Sequence, residues 1–239
     1  MVRVRQALTR LTLAGLALAL VSCGRSGPHA TILNMREREL GGPPFPTRII
    51  VNRHYLRIDP DTGTGNYILF DRKRRIIYSV DHSDRTILVI RSHIITLPKP
   101  AKLQETVQRG HAKGRFKGHK LRSYRLYTND HQCYYVVAAK GLLPGVVSAL
   151  KAYSDTLAGE QALTAANTPA GLETACDLAD NVFDPDREYA YGFPVRILDY
   201  EENEKVLIGY KKDVPVKRSL FTLPAHYVRY SPGEVRNGD

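Results

Sequence analysis

Residues 66–91, NYILFDRKRRIIYSVDHSDRTILVIR, decide the architecture. Three short apolar runs (66–70, 75–80 and 85–91) are divided by Asp71-Arg72-Lys73-Arg74 and Asp81-His82-Ser83-Asp84. Evenly spaced β-branched and aromatic runs broken by polar turn residues predict an antiparallel meander. Alternation along a strand sets Ile76, Tyr78 and Val80 on one face and Thr86, Leu88 and Ile90 on another. The opposite faces still carry Ile77, Ile87 and Val89. A sheet with one solvated face is polar on that face, so this meander must be covered on both sides.

Upstream, residues 48–58 (RIIVNRHYLRI) predict a strand, and residues 59–65 (DPDTGTG) are turn chemistry. Asp59 and Asp61, like Asp184 and Asp186, could be read as paired carboxylates or calcium ligands. A calcium loop needs ligands at more positions, so turn roles are expected. Residues 24–46 hold two Gly/Pro clusters around a stretch with room for a helical turn or two, and they predict a tether.

Downstream, residues 97–113 are mostly polar, and residues 115–127 and 132–139 predict a hairpin around Thr128-Asn129-Asp130-His131. The period then changes. Val146, Val147, Leu150, Tyr153, Leu157 and Gln161 follow a 3.6-residue rhythm, which Leu172, Ala175, Cys176, Ala179, Val182 and Phe183 repeat. Two amphipathic helices are expected as an insertion at about 144–183. Strand pattern returns at 193–200 and 205–211 and closes with 218–223 and 225–230.

At the start of the chain, Arg3, Arg5 and Arg10 flank the uncharged run 11–21 (LTLAGLALALV), whose 11 residues are too few to span a bilayer and suit a signal-peptide core. Leu20-Val21-Ser22-Cys23 follows, then Gly24. This resembles the lipobox of bacterial lipoproteins. The resemblance implies that residues 1–22 are removed as a signal peptide and that Cys23 is acylated, anchoring the body to a membrane. The alternative is an ordinary secretory signal whose cleavage region contains a cysteine. Gly24 is not the aspartate that retains enteric lipoproteins at the inner membrane, so an outer-membrane, periplasm-facing location is expected.

The 217 residues from Cys23 onward suit one domain, expected over 47–239 after a tether at 23–46. The formal charge is +11, and +8 without the three early arginines. That charge either serves solubility or favours anionic lipid headgroups, lipopolysaccharide phosphates or an acidic protein; no nucleic-acid partner is expected in the envelope. A cationic, partly aromatic segment, KGRFKGHKLRSYR (113–125), concentrates Lys113, Arg115, Lys117, Lys120 and Arg122. It is a candidate surface for an anionic partner, or an edge strand charged against aggregation.

With Cys23 assigned to lipid, Cys133 and Cys176 are left, and two cysteines in an oxidising compartment are expected to pair. Such a bond would staple the second helix to the 132–139 strand. The eight histidines form no metal motif, and His82, His93, His111, His119 and His131 read as solvated. No nucleophile elbow and no phosphate loop is present. Neither catalysis nor a cofactor or metal is expected.

The layout of tether, meander, helical insertion and returning strands, with the runs 55–59, 67–71, 76–80 and 85–90, resembles the lipoprotein carrier and receptor (LolA/LolB-like) superfamily and related proteobacterial lipoproteins. The resemblance implies an α+β fold: a strongly curved antiparallel sheet, an incomplete β-barrel, capped by two helices. The leading functional expectation is a groove between sheet and helices for an acyl chain, a lipid or a lipidated partner. The alternative is a non-catalytic scaffold holding an envelope complex or anionic lipid on its basic face. An apolar cavity of roughly 300 Å3 or more would favour the ligand binder.

Overall fold

The computed structural model describes residues 27–60, 65–93, 97–112, 114–169 and 171–237, so Cys23, Asp61 and Lys113 lie outside the described residues. The first half is β1 (His29–Arg38), β2 (Phe45–Val51), β3 (Tyr55–Asp59), β4 (Tyr67–Asp71), β5 (Ile76–Asp81) and β6 (Thr86–Arg91). Then come β7 (Glu105–Arg109), β8 (Arg115–Phe116), β9 (His119–Thr128), β10 (His131–Ala139) and α1 (Pro144–Asn167). After α2 (Ala175–Leu178) a π-helical turn (Ala179–Phe183) and a 3-10 turn (Arg187–Tyr189) lead to β11 (Phe193–Asp199) and β12 (Glu204–Pro215). A second 3-10 turn (Arg218–Phe221), β13 (Val228–Tyr230) and α3 (Pro232–Asn237) finish the described chain.

The expected meander is present as β4, β5 and β6, with Tyr67 opposite Val80 and Ile77 opposite Ile90. Its two turns use the same chemistry. The Asp71 carboxylate accepts from the amides of Lys73 and Arg74, and that of Asp81 from Ser83 and Asp84. Each turn ends on an arginine at positive φ, Arg75 or Arg85. An aspartate that caps the amides two and three residues on closes such a loop locally.

The sheet runs β13-β6-β5-β4-β3-β2-β1-β12-β11-β10-β9-β7, with β8 folded back on β9. Neighbours are antiparallel except β13, which is parallel to β6. The end strands do not pair, so the sheet is an unclosed barrel of the α+β class, as the sequence leads one to expect. Its curvature follows from one shared core. Leu33, Val51, Leu56, Phe70, Ile77 and Ile90 from the first half pack in one cluster with Phe193, Val195 and Leu207 from the second and Val146, Ala149 and Leu150 of α1.

Both covers required by the two-sided meander exist. Helix α1 lies on the concave face, where the rings of Phe70 and Tyr153 meet edge to face at 5.9 Å. On the convex face Tyr67, Leu69, Val80 and Ile87 are covered by Phe221, Leu223 and Tyr227. Phe221 stacks on Tyr55 at 5.6 Å, and Tyr227 meets His82 through a 2.7 Å hydrogen bond. His82 is therefore partly buried structure rather than a solvated histidine.

Further expectations need correction. The tether is too long as read, because ten of its residues form β1 in the middle of the sheet, where Ala30, Leu33 and Met35 are buried. Residues 48–58 are two strands, because the Asn52 side chain accepts from the amides of His54 and Tyr55 and turns the chain. Residues 115–127 are likewise broken, by a turn at Lys117 and Gly118 with both at positive φ. Asp59 is no turn residue. It is buried at the end of β3, where Arg57 at 2.5 Å and Arg48 at 2.9 Å pair with its carboxylate.

The helical insertion matches its expected span, although the second helix is one α-turn continued by the π-turn. Of the final segments only β13 is extended, since Arg218–Phe221 is a 3-10 turn. Cys133 and Cys176 are bonded, so α2 is stapled to β10 as expected. A carboxylate of Asp180 lies near both sulfurs, but these are consumed in the disulfide and leave no thiolate for a metal.

Candidate functional site

Between the concave face and α1 lies a groove of about 460 Å3. Met35, Ile49, Ile58 and Ile68 come from four successive strands, β1 to β4, and form its floor. Period-2 alternation brings them to one face of the sheet. Leu150, Tyr153, Leu157 and Gln161 of α1 form a wall, their spacing of three and four residues lining one side of the helix. These four were already in the helical rhythm of the sequence, and here they point toward a space rather than into solid core.

The other end of the groove is polar. It is lined by Asp180 and Asn181 of the π-turn, Glu188 and Tyr189 of the 3-10 turn, Tyr134 of β10, and Glu37 and Lys205. Asp180 forms a buried ion pair with Arg187, and Lys205 lies 3.7 Å from Glu37. Glu188 has no ion-pair partner among the described residues, and its Oε2 is buried without a hydrogen bond. Burial pushes its carboxyl up to about 7; repulsion by Asp180 adds to this, and its own backbone amide, Lys205 and a hydrogen bond from the Tyr189 hydroxyl oppose it. Burial likewise raises Asp180 to about 6, against the pull of Arg187. The hydroxyls of Tyr134 and Tyr189 are held well above their ordinary value by burial and nearby carboxylates, so they remain neutral donors. Chemically, this arrangement can enclose an apolar chain and meet a polar group at one end.

The basic segment does not form one surface. Arg115 bonds the Gly118 carbonyl at 2.9 Å in the small hairpin, with Lys117 in its turn. Lys120 and Arg122 instead sit on the convex side of β9, in a separate cup of about 490 Å3. There they join Arg109 of β7 and Lys140, around Tyr124 and Tyr191 stacked at 4.0 Å. None of these four cations has a carboxylate partner among the described residues. Sequence reasoning missed Arg109 and Lys140 because strand pairing alone brings them beside β9, Arg109 opposite Tyr124. It also missed Asp180, Glu188 and Lys205, which stand in ordinary polar stretches with no motif.

The fold thus defines a protein whose single curved sheet wraps a helix and leaves a lined groove between them. No family model matches the chain, and no curated protein does. Among solved structures it is similar to an uncharacterized conserved protein from Thermus thermophilus, at 9% identity and a TM-score of 0.42 over 86% of this chain and 91% of that one. It is also similar to PNGF-II, at 10% identity and a TM-score of 0.44, over 87% of this chain and 32% of that one. A LolA superfamily protein, NE2245 from Nitrosomonas europaea, aligns at 10% identity and a TM-score of 0.29 over 83% and 91%. Among the described residues, no helix is long and apolar enough to cross a membrane.

Proposed function

We propose that this chain is a non-catalytic lipoprotein of the cell envelope, anchored through Cys23, that holds an apolar ligand in the sheet–helix groove. The ligand is an acyl chain, a lipid or a lipidated partner. The observation that carries the reading is the groove itself: about 460 Å3 of space floored by Met35, Ile49, Ile58 and Ile68 and walled by Leu150 and Leu157. A space of this size with an apolar floor and a few convergent polar groups suits a small amphiphile. Native mass spectrometry of the full chain after incubation with acyl-chain probes tests it, with bound chains expected at one per protein. Ala158→Trp, which fills the groove from α1, should abolish that signal; an unchanged signal would place the ligand elsewhere.

The second reading is a scaffold role on the basic face, favoured by the cup of Arg109, Lys120, Arg122 and Lys140 around the tyrosine stack. Its occupant would be anionic lipid. Cosedimentation with phosphatidylglycerol vesicles should then exceed that with phosphatidylcholine and fall with added salt. The paired change Arg109→Gln and Arg122→Gln should remove the difference, and equal binding to both lipids would exclude this reading.

A further inference from the structure

The chain is basic, with a formal charge of +11, yet the groove is not. Its ionisable lining is Glu37, Asp180 and Glu188 against the one amine of Lys205. Lys205 is drawn to Glu37 and Asp180 to Arg187. That leaves Glu188 as the carboxylate with no ion pair among the described residues: Lys205 attracts it without pairing, the Tyr189 hydroxyl and its own amide bond it, and Oε2 is buried and unbonded. A buried carboxylate oxygen with no partner is expensive, and it favours whatever brings it a proton or a cation. A fatty-acid carboxylate entering head first would meet Glu37, Asp180 and Glu188, of which Lys205 and Arg187 offset only two.

We propose that the groove takes a single-chain amphiphile with a primary ammonium head, seated with the head at the polar end beside Glu188 and the chain along the floor of Ile49, Ile58 and Ile68. The ammonium donates to the unbonded Glu188 oxygen, with Asp180 as the second nearby anion. The raised proton affinities of both carboxyls agree with this: burial disfavours their charged forms, and for Asp180 the neighbouring Arg187 offsets that only in part. Groups facing Glu188 from the surrounding elements are Tyr134 of β10, Lys205 of β12, Asp180 of the π-turn and Tyr189 beside it, while its chain neighbour Arg187 pairs with Asp180. Tyr153 of α1 and Glu37 of β1 complete the ionisable lining.

This inference rests on the groove being an apolar binding site, and the experiment separates the two. Binding of dodecylamine, dodecanol and dodecanoate to the full chain is measured at pH 8 by titration calorimetry, below their aggregation concentrations. Dodecylamine is expected to bind about tenfold or more tighter than dodecanoate, as one charge-assisted hydrogen bond implies. Glu188→Gln, which keeps the shape, should remove the preference and retain dodecanol. At pH 5, where both carboxyls hold protons, the wild-type preference should shrink. Equal binding of all three overturns the ammonium proposal and leaves the apolar groove standing. So does a preference that survives both Glu188→Gln and pH 5. Absence of binding by all three overturns the groove reading and this proposal with it.

Discussion

Cys133 of β10 and Cys176 of α2 are bonded across 43 residues of sequence, with their Cα atoms 5.4 Å apart. The bond fixes the start of the turn region that carries Asp180 and Glu188 against the sheet. The polar end of the groove therefore depends on a covalent tie rather than on the four-residue helix α2, which is too short to hold position by itself.

Reduction should expose that dependence. Closing a loop of this length stabilises by about 3–4 kcal/mol in the chain-entropy model. The Cys133→Ala, Cys176→Ala double variant should lose about that much in urea denaturation. Amide exchange should rise first at 175–189, and uniform exchange across the sheet would contradict this account.

Gly159 sits buried in the middle of α1, where a Cβ would collide with the backbone carbonyl of His93. Helix propensity alone favours alanine over glycine by about 1 kcal/mol. The collision is with backbone, which cannot swing aside, and overpacking of this kind costs about 1–3 kcal/mol. Gly159→Ala is therefore expected to destabilise, and a raised Tm would show that the chain at His93 yields.

Arg57 and Asp59 form a buried pair on the convex face, with Arg57 also donating to the Leu220 carbonyl at 3.0 Å and lying 3.5 Å over the Tyr67 ring. Removing one member of a buried pair leaves the other charge unpaired and costs about 3–5 kcal/mol. Asp59→Ala should lose stability in that range and loosen the covering segment around Phe221. Proteolysis near 216–227 in the folded variant measures the second effect.

The raised carboxyls give a stability profile with a definite sign. Glu188 ordinarily titrates near 4.5 and is held near 7 in the folded chain. Between those values the folded state keeps a proton that the unfolded state has released, so stability falls as pH rises through that window and is flat above it for this group. Asp180, moved from 3.8 to about 6, acts in the same direction. Glu188→Gln should flatten the decline and be more stable than the parent above pH 7, as thermal unfolding at pH 5 and pH 8 will reveal.

The meander was legible because Asp71 and Asp81 repeat one turn chemistry between β-branched runs, and α1 because its apolar spacing is regular. β1 was hidden by its surroundings. Six of the ten residues of HATILNMRER are polar or charged, three of them (Asn34, Arg36 and Arg38) on its outer side, and its flanking Gly and Pro clusters read as linker. β7 was hidden for a related reason, since an edge strand with a single apolar residue, Val107, has no pattern to betray it. The groove was half visible. Tyr153, Leu157 and Gln161 stand in the helical rhythm, whereas Glu188 and Lys205 meet only through pairing that brings β12 beside β1 and β11.

That pairing joins the halves of the sheet: β1 bonds β12, matching Leu33 with Tyr210 and Arg38 with Glu204. The contact separates partners by more than 160 residues, so chain closure must precede any reward from it. As the chain is synthesised, β1 to β6 can form early but leave the hydrogen-bonding edge of β1 open. That edge stays open until nearly the last strand arrives. Assembly is consequently late-committing: until β12 docks, the backbone N–H and C=O groups along that side of β1 have no partner strand.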